Sequence, residues 1–228
     1  VLPNAETETV NDPKNMSFNF GKISFDKVGT YTFQVKEVDS DDNMPENADG
    51  MTFDTNTATV TVNVSDNHDG TLSAKVTYNN TKHNDTDQAV FENTYEASMN
   101  YGAEGKGGIN VTKTIRDRSM ANGDYSFTIT GEGDAADLVT NADKSFTNTA
   151  AQVNGTSVMA KLQSLTFDET DAGKTYTFIV DEVMPADIDK IAGVDYDQSE
   201  YRVSVEVVDN GDGTMHTLTT VTQIKDKD

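Results

Sequence analysis

The chain has 228 residues, 39 of them acidic against 17 basic, for a net charge of -22, and it contains no cysteine and no tryptophan. So acidic a surface repels phosphate backbones and anionic membranes, because both are bound through clustered Lys and Arg, and this argues against nucleic-acid and peripheral-membrane partners. The lack of cysteine excludes disulfides, thiolate zinc sites and Cys nucleophiles, and no run of about 18 apolar residues offers a membrane-spanning helix.

Only 35% of the chain is hydrophobic, yet the apolar residues gather in short runs of period two, as half-buried strands require. In the first clear run, residues 29–38, Tyr31, Phe33 and Val35 point one way and Thr32, Gln34 and Lys36 the other. Residues 51–54 and 62–71 follow, the latter reaching Asp69-Gly70, where a hairpin turn needs positive φ. Ala89-Val90-Phe91-Glu92-Asn93-Thr94-Tyr95 closes this half. Residues 96–108, with Gly102, Gly105, Gly107 and Gly108, read as a junction, so the domains are drawn at 1–98 and 109–228 with 99–108 between them. The second half opens on runs 109–115 and 124–130. A short helix is expected near 135–139 or 141–144. Strand patterns then return at 165–168, 173–183, 194–197 and 201–207, before a second turn at Asp212-Gly213.

The halves are one repeat, out of phase. Gly29-Thr30-Tyr31-Thr32-Phe33-Gln34-Val35-Lys36-Glu37-Val38 matches Gly173-Lys174-Thr175-Tyr176-Thr177-Phe178-Ile179-Val180-Asp181-Glu182-Val183 after one added residue. Residues 23–26, 51–54 and 62–71 match 165–168, 194–197 and 205–214 in the same order. Only the second half shows the two opening runs, and only the first shows the closing Phe-Glu-Asn-Thr-Tyr. The fold class is therefore all-β: two tandem antiparallel β-sandwich domains, each incomplete at one end in this chain. The chain starts Val1-Leu2-Pro3-Asn4 and stops at Lys225-Asp226-Lys227-Asp228, so both ends read as cuts in a longer protein.

Motifs for turnover are missing. The acidic turns at 66–70 and 209–213 lack the ligand spacing and the twelfth-position Glu of a calcium loop, so they read as hairpin turns. His68, His83 and His216 stand apart from other ligand residues, and no nucleophile elbow, phosphate loop or dinucleotide fingerprint occurs. No cofactor, no metal and no enzyme acting on a separate substrate is expected. Four residues break the apolar pattern instead. Lys113 lies between Val111 and Ile115 on their face, Glu37 follows Phe33 and Val35, Glu182 follows Phe178 and Val180, and Asn93 sits between Phe91 and Tyr95. An unpaired buried charge is very costly, so these residues form buried ion pairs, face solvent through a register slip, or react with one another.

Val-Thr-Lys-Thr-Ile, Tyr-Thr-Phe-x-Val-x-Glu-Val and Phe-Glu-Asn-Thr-Tyr, in that order, resemble the isopeptide-forming pilin and adhesin repeats of Gram-positive bacteria. The likeness is to T-antigen major-pilin (FctA-type) domains, related to collagen-adhesin B-type domains, and it spans nearly the whole chain. It implies Ig-like sandwiches in a pilus or adhesin shaft on the bacterial surface, anchored to the cell wall through parts not in this chain. In that family a Lys amine attacks an Asn amide, ammonia leaves and a Glu relays protons, once per domain. The resemblance gives Glu37 and Glu182 the relay role, and Lys113 and Asn93 the cross-link. Each triad is then short of one member. The missing strands belong to the parent chain or come from neighbouring repeats or other copies by strand addition. The alternative reading is a module binding a host surface ligand, for which no exposed aromatic cluster speaks.

Overall fold

A computed structural model describes residues 17–38, 46–80, 87–103 and 107–226. Their strands are β1 (Gly29–Lys36), β2 (Met51–Thr52), β3 (Thr57–Asp66), β4 (Leu72–Asn79), β5 (Thr94–Tyr95), β6 (Ser98–Tyr101) and β7 (Ile109–Thr114), then β8 (Ser126–Glu132), β9 (Ser145–Thr147), β10 (Thr156–Lys161), β11 (Leu165–Asp168), β12 (Thr175–Glu182), β13 (Glu200–Asp209) and β14 (Met215–Lys225). Helix is confined to α1 (Asn141–Lys144) and to 3₁₀ turns at Gly133–Leu138, Glu169–Asp171 and Asp187–Asp189. The fold is all-β with tandem domains.

The chain separates into two compact units, one from Val1–Glu46 with Phe53–Asn93 and one from Asn47–Thr52 with Thr94–Asp228. The first unit carries an antiparallel sheet ordered β1-β3-β4. On β1 the alternation read from sequence is visible as exposure: Tyr31, Phe33 and Val35 are half-buried, and Thr30, Thr32, Gln34 and Lys36 are exposed. Ala58, Val62 and Val64 of β3 are buried. β4 is exposed along nearly its whole length.

The second unit is built around a sheet ordered β14-β13-β12-β8-β9, with antiparallel pairs β10-β7, β11-β6 and β2-β5 beside it. Its core gathers Phe127 and Ile129 of β8, Phe178 and Val180 of β12, Val203, Val205 and Val207 of β13, and Ile109, Met159 and Phe167 from the paired strands. Gly131 allows β8 to pass close to the 3₁₀ turn that follows it: a Cβ there would stand 2.0 Å from the Ala135 carbonyl oxygen. β14 closes the five-stranded sheet as an eleven-residue outer strand, with Leu218, Val221 and Ile224 all exposed.

Two stretches differ from the sequence reading. Of the expected junction 99–108, residues 104–106 lie outside the described residues, and the stretch opens not as linker but as the end of β6, pairing Tyr101 with Leu165 and Met99 with Phe167. Met99 and Tyr101 are buried while Ser98 and Asn100 are exposed, a strand alternation too short to stand out beside the glycines after it. Residues 89–93, expected as strand, have no regular structure; only Thr94–Tyr95 pairs, with Met51–Thr52. Side chains hold that segment instead, as Asn56 Nδ2 donates to the Val90 carbonyl at 2.9 Å. The helix expected near 135–139 or 141–144 appears at both places, as a 3₁₀ turn and as α1.

The acidic turns join β3 to β4 and β13 to β14. In each, an Asp accepts from the Thr two residues on, Asp69 from Thr71 N at 2.9 Å and Asp212 from Thr214 N at 3.0 Å. Gly70 and Gly213 take φ of 86° and 76°, the left-handed region that the hairpins demand.

Phe178 is fully buried at the centre of the second unit's core. Phe178→Ala should lower the stability of that unit by about 3–5 kcal/mol in urea denaturation, whereas Val158→Ala, on an exposed position of β10, should change it by less than about 0.5 kcal/mol.

Candidate functional site

Each unit holds a glutamate where the apolar alternation of one strand ends, at β1 in the first and at β12 in the second. In the second unit β12 continues Tyr176, Phe178, Val180 into Glu182, and β7 places Lys113 on the face of Ile109 and Val111. The two meet: Lys113 Nζ donates to Glu182 Oε2 at 2.6 Å, with side chains 10% and 5% exposed. The ammonium also lies 4.4 Å from the centre of the Tyr125 ring, a cation–π contact. Tyr125 in turn packs against Tyr196, with ring centres 5.7 Å apart.

The pair is not electrostatically complete. Glu182 Oε1 is buried and has no hydrogen-bond partner among the described residues. Burial pushes the Glu182 carboxyl above its ordinary value; the hydrogen bond and charge of Lys113 pull it down by less, and the charge of Asp197 adds to the rise. Glu182 also borders a cleft of about 260 Å³ with Val183, Met184, Gln198 and Glu200.

The first unit has the complementary arrangement. Glu37 follows directly on β1, and its Oε1 accepts from Asn93 Nδ2 at 3.0 Å, a contact across 56 residues of sequence. Asn93 Oδ1 accepts from the backbone N–H of Asp54 at 2.7 Å. Both ends of the Asn93 amide are therefore engaged, and the partners fix its orientation: the nitrogen toward the carboxylate, the oxygen toward the N–H. Glu37 Oε2, like Glu182 Oε1, is buried without a partner.

The structure thus brings together Lys113 with Glu182, and Asn93 with Glu37. Among the described residues no ammonium pairs with Glu37, and no Asn side chain hydrogen bonds to Lys113 or Glu182. Sequence reasoning missed Tyr125, Asp54 and Asn56. Tyr125 heads a strand run with no cue that a lysine would lie under its ring. Asp54 did leave a signal, since an aromatic residue followed by Asp recurs in the two repeats as Phe53-Asp54 and Tyr196-Asp197. His68 and His216 sit in or beside the hairpin turns, and His83 lies outside the described residues. No group of three or more His, Cys, Asp and Glu suited to a metal ion occurs among the described residues.

Chemically, each site offers a dry carboxylate with one oxygen engaged and the other unengaged. One site presents an amine and the other a polarised amide. A family model described as FctA, Spy0128-like isopeptide containing domain, matches the chain twice, over residues 2–96 and 109–228. No curated protein matches it.

Removing one partner of a buried pair leaves the other uncompensated. Lys113→Met should cost about 3–5 kcal/mol at pH 7, and Lys113→Met with Glu182→Met should recover most of it. In a carboxyl NMR titration Glu182 should titrate above ordinary glutamates, and further up in Lys113→Met, because the lysine contributions that lower it are gone. A carboxyl raised on folding holds its proton more tightly in the native state. Its contribution to stability therefore declines as pH climbs from the ordinary value through the raised one, and Glu182→Gln should flatten that slope.

Proposed function

The chain belongs to the family of Spy0128-like isopeptide-containing domains, and on that premise we propose that each of its repeats is built to close one Lys–Asn isopeptide bond over a buried glutamate. As a member of that family it is a structural repeat of the pilus or adhesin kind, placed at the cell surface and associating with other such repeats. Attachment to a Gram-positive cell wall through another part of the parent protein is part of the same reading.

One observation carries it. Two units related by repeat each keep a glutamate at the same place in the repeat, Glu37 and Glu182, and each engages a different member of the same triad. Superposing the repeats in sequence assembles amine, carboxyl and amide around one buried oxygen pair.

The chemistry follows from that environment. A neutral Lys113-type amine attacks the Cγ of an Asn amide, and the C–N bond forms as the bond to Nδ2 breaks. Glu182 or Glu37 takes the proton from the amine and delivers it to the departing nitrogen, so ammonia leaves and the carboxyl is regenerated. The packed interior helps by holding the reactants at contact distance, worth up to about 7–11 kcal/mol of barrier. The reaction runs once per site, so the protein is a substrate of its own chemistry and not an enzyme with turnover. The product ties the lysine strand covalently to the asparagine segment, and a shaft without cysteine then bears tension through an amide and not through a ladder of hydrogen bonds.

Mixing the chain with a peptide of residues 89–97, which carries the Asn93 segment, should give a covalent adduct on Lys113 lighter than the sum of its parts by about 17 Da, the mass of ammonia. Lys113→Arg and Glu182→Ala should abolish it. An adduct mapped to another lysine, or none at all with the wild-type chain, would count against the assignment.

A further inference from the structure

The reading above assigns the carboxyl, the amine and the amide, and leaves the developing negative charge on the amide oxygen without a stabiliser. The first unit supplies one. Asp54 is 3% exposed and makes three contacts around Asn93. Its backbone N–H donates to Asn93 Oδ1 at 2.7 Å. Its Oδ2 accepts from the backbone N–H of Glu92, the residue before Asn93, at 3.0 Å. Its Oδ1 accepts from the N–H of Asn56 at 2.8 Å, which locks the turn carrying that backbone N–H. Asn56 extends the clamp by donating to the Val90 carbonyl. A segment with no ladder hydrogen bonds of its own at 89–93 is thereby held by one aspartate at both its backbone and its reactive side chain.

We propose that Asp54 sets up an oxyanion site for bond formation at Asn93, its main-chain N–H stabilising the amide oxygen and its carboxylate positioning residues 92–93. The inference rests on the Lys–Asn reading and adds a role to it. When an amine adds to Asn93 Cγ, the C=O electrons move onto Oδ1, and the N–H already 2.7 Å from that atom meets the new charge without reorganisation. Glu37 Oε1, on Nδ2 at 3.0 Å, is placed for the nitrogen that leaves as ammonia. The oxygen collapses back to a carbonyl as the bond to Nδ2 breaks, so the N–H returns to its starting role.

The second repeat keeps one part of this arrangement. Asp197, the counterpart of Asp54, accepts from Ser199 N at 2.9 Å, the same two-residue contact that Asp54 makes with Asn56. Its charge also adds to the rise of the Glu182 carboxyl above its ordinary value.

The test uses the whole chain with a peptide of residues 109–116 as the amine donor to Asn93, following the rate of ammonia-loss adduct by mass. Replacing residue 54 by the α-hydroxy analogue of aspartate turns the peptide bond into an ester and removes only the N–H. The maximal rate should fall by about 10²–10³-fold while the half-saturating peptide concentration stays constant. Asp54→Ala should also slow the maximal rate, and Asp54→Asn, which keeps Oδ1 for Asn56, should restore part of it. An undiminished maximal rate in the ester form, or a change in half-saturation alone, overturns the oxyanion role and leaves the Lys–Asn reading standing. No adduct with the wild-type chain overturns both. Independently of reaction, the Asp54 amide proton should exchange slowly in the free chain and faster in Asn93→Ala; exchange at the solvent rate in the wild type overturns the proposal.

Discussion

Lys113 and Glu182 meet at 2.6 Å in a place where neither side chain is more than 10% exposed. Withdrawing both charges from water costs several kcal/mol apiece, and the mutual attraction returns most of that only if every polar atom is satisfied. Here one is not, since Glu182 Oε1 has no partner among the described residues. The core of the second unit is arranged to accept this expense. Tyr125 covers the ammonium, Tyr196 backs Tyr125, and the apolar positions of β12 and β7 set the depth at which both groups lie. A protein seeking stability alone would place two apolar residues there.

The two units solve the same geometric problem with different resources. The second has a continuous apolar core and holds Lys113 on a regular strand, so strand pleat aims Nζ. The first exposes more of its sheet, and Asn93 lies on irregular backbone. Pleat cannot aim a side chain there, and a buried polar network does so instead, centred on Asp54 and Asn56, which are 3% and 0% exposed.

Much of this was readable in the chain. Period-two alternation in Tyr31-Thr32-Phe33-Gln34-Val35 and in its counterpart gave strand and face together, and the same parity carried Glu37, Glu182 and Lys113 inward. What resisted reading was any feature whose cause lies far off in sequence. β6 is a strand because Met99 and Tyr101 find Phe167 and Leu165 more than 60 residues away, and four residues of alternation beside a glycine-rich stretch carry no such information. Residues 89–93 show strand parity in Phe91, Asn93 and Tyr95, yet their backbone pairs with side chains, and parity cannot tell a ladder from a clamp. The Lys113–Tyr125 contact depends on the β7 and β8 segments meeting through the packed core, beyond reach of any local pattern.

β14 remains as the outer strand of the five-stranded sheet, eleven residues long, bearing Leu218, Val221 and Ile224 to solvent and, from 217 to 224, no ionisable side chain. Uncharged margins of that kind are templates for intermolecular sheet growth. Within the strand only Lys225, at its end, carries a formal charge at pH 7, so along 217–224 repulsion between copies comes from the molecule's excess of 22 negative charges, acting at a distance. Such protection reaches only about 8 Å in physiological saline and about 3 Å in molar salt. Colloidal behaviour is thereby tied to ionic strength: dilute buffer keeps molecules apart, and brine or divalent counterions bring these margins within pairing range.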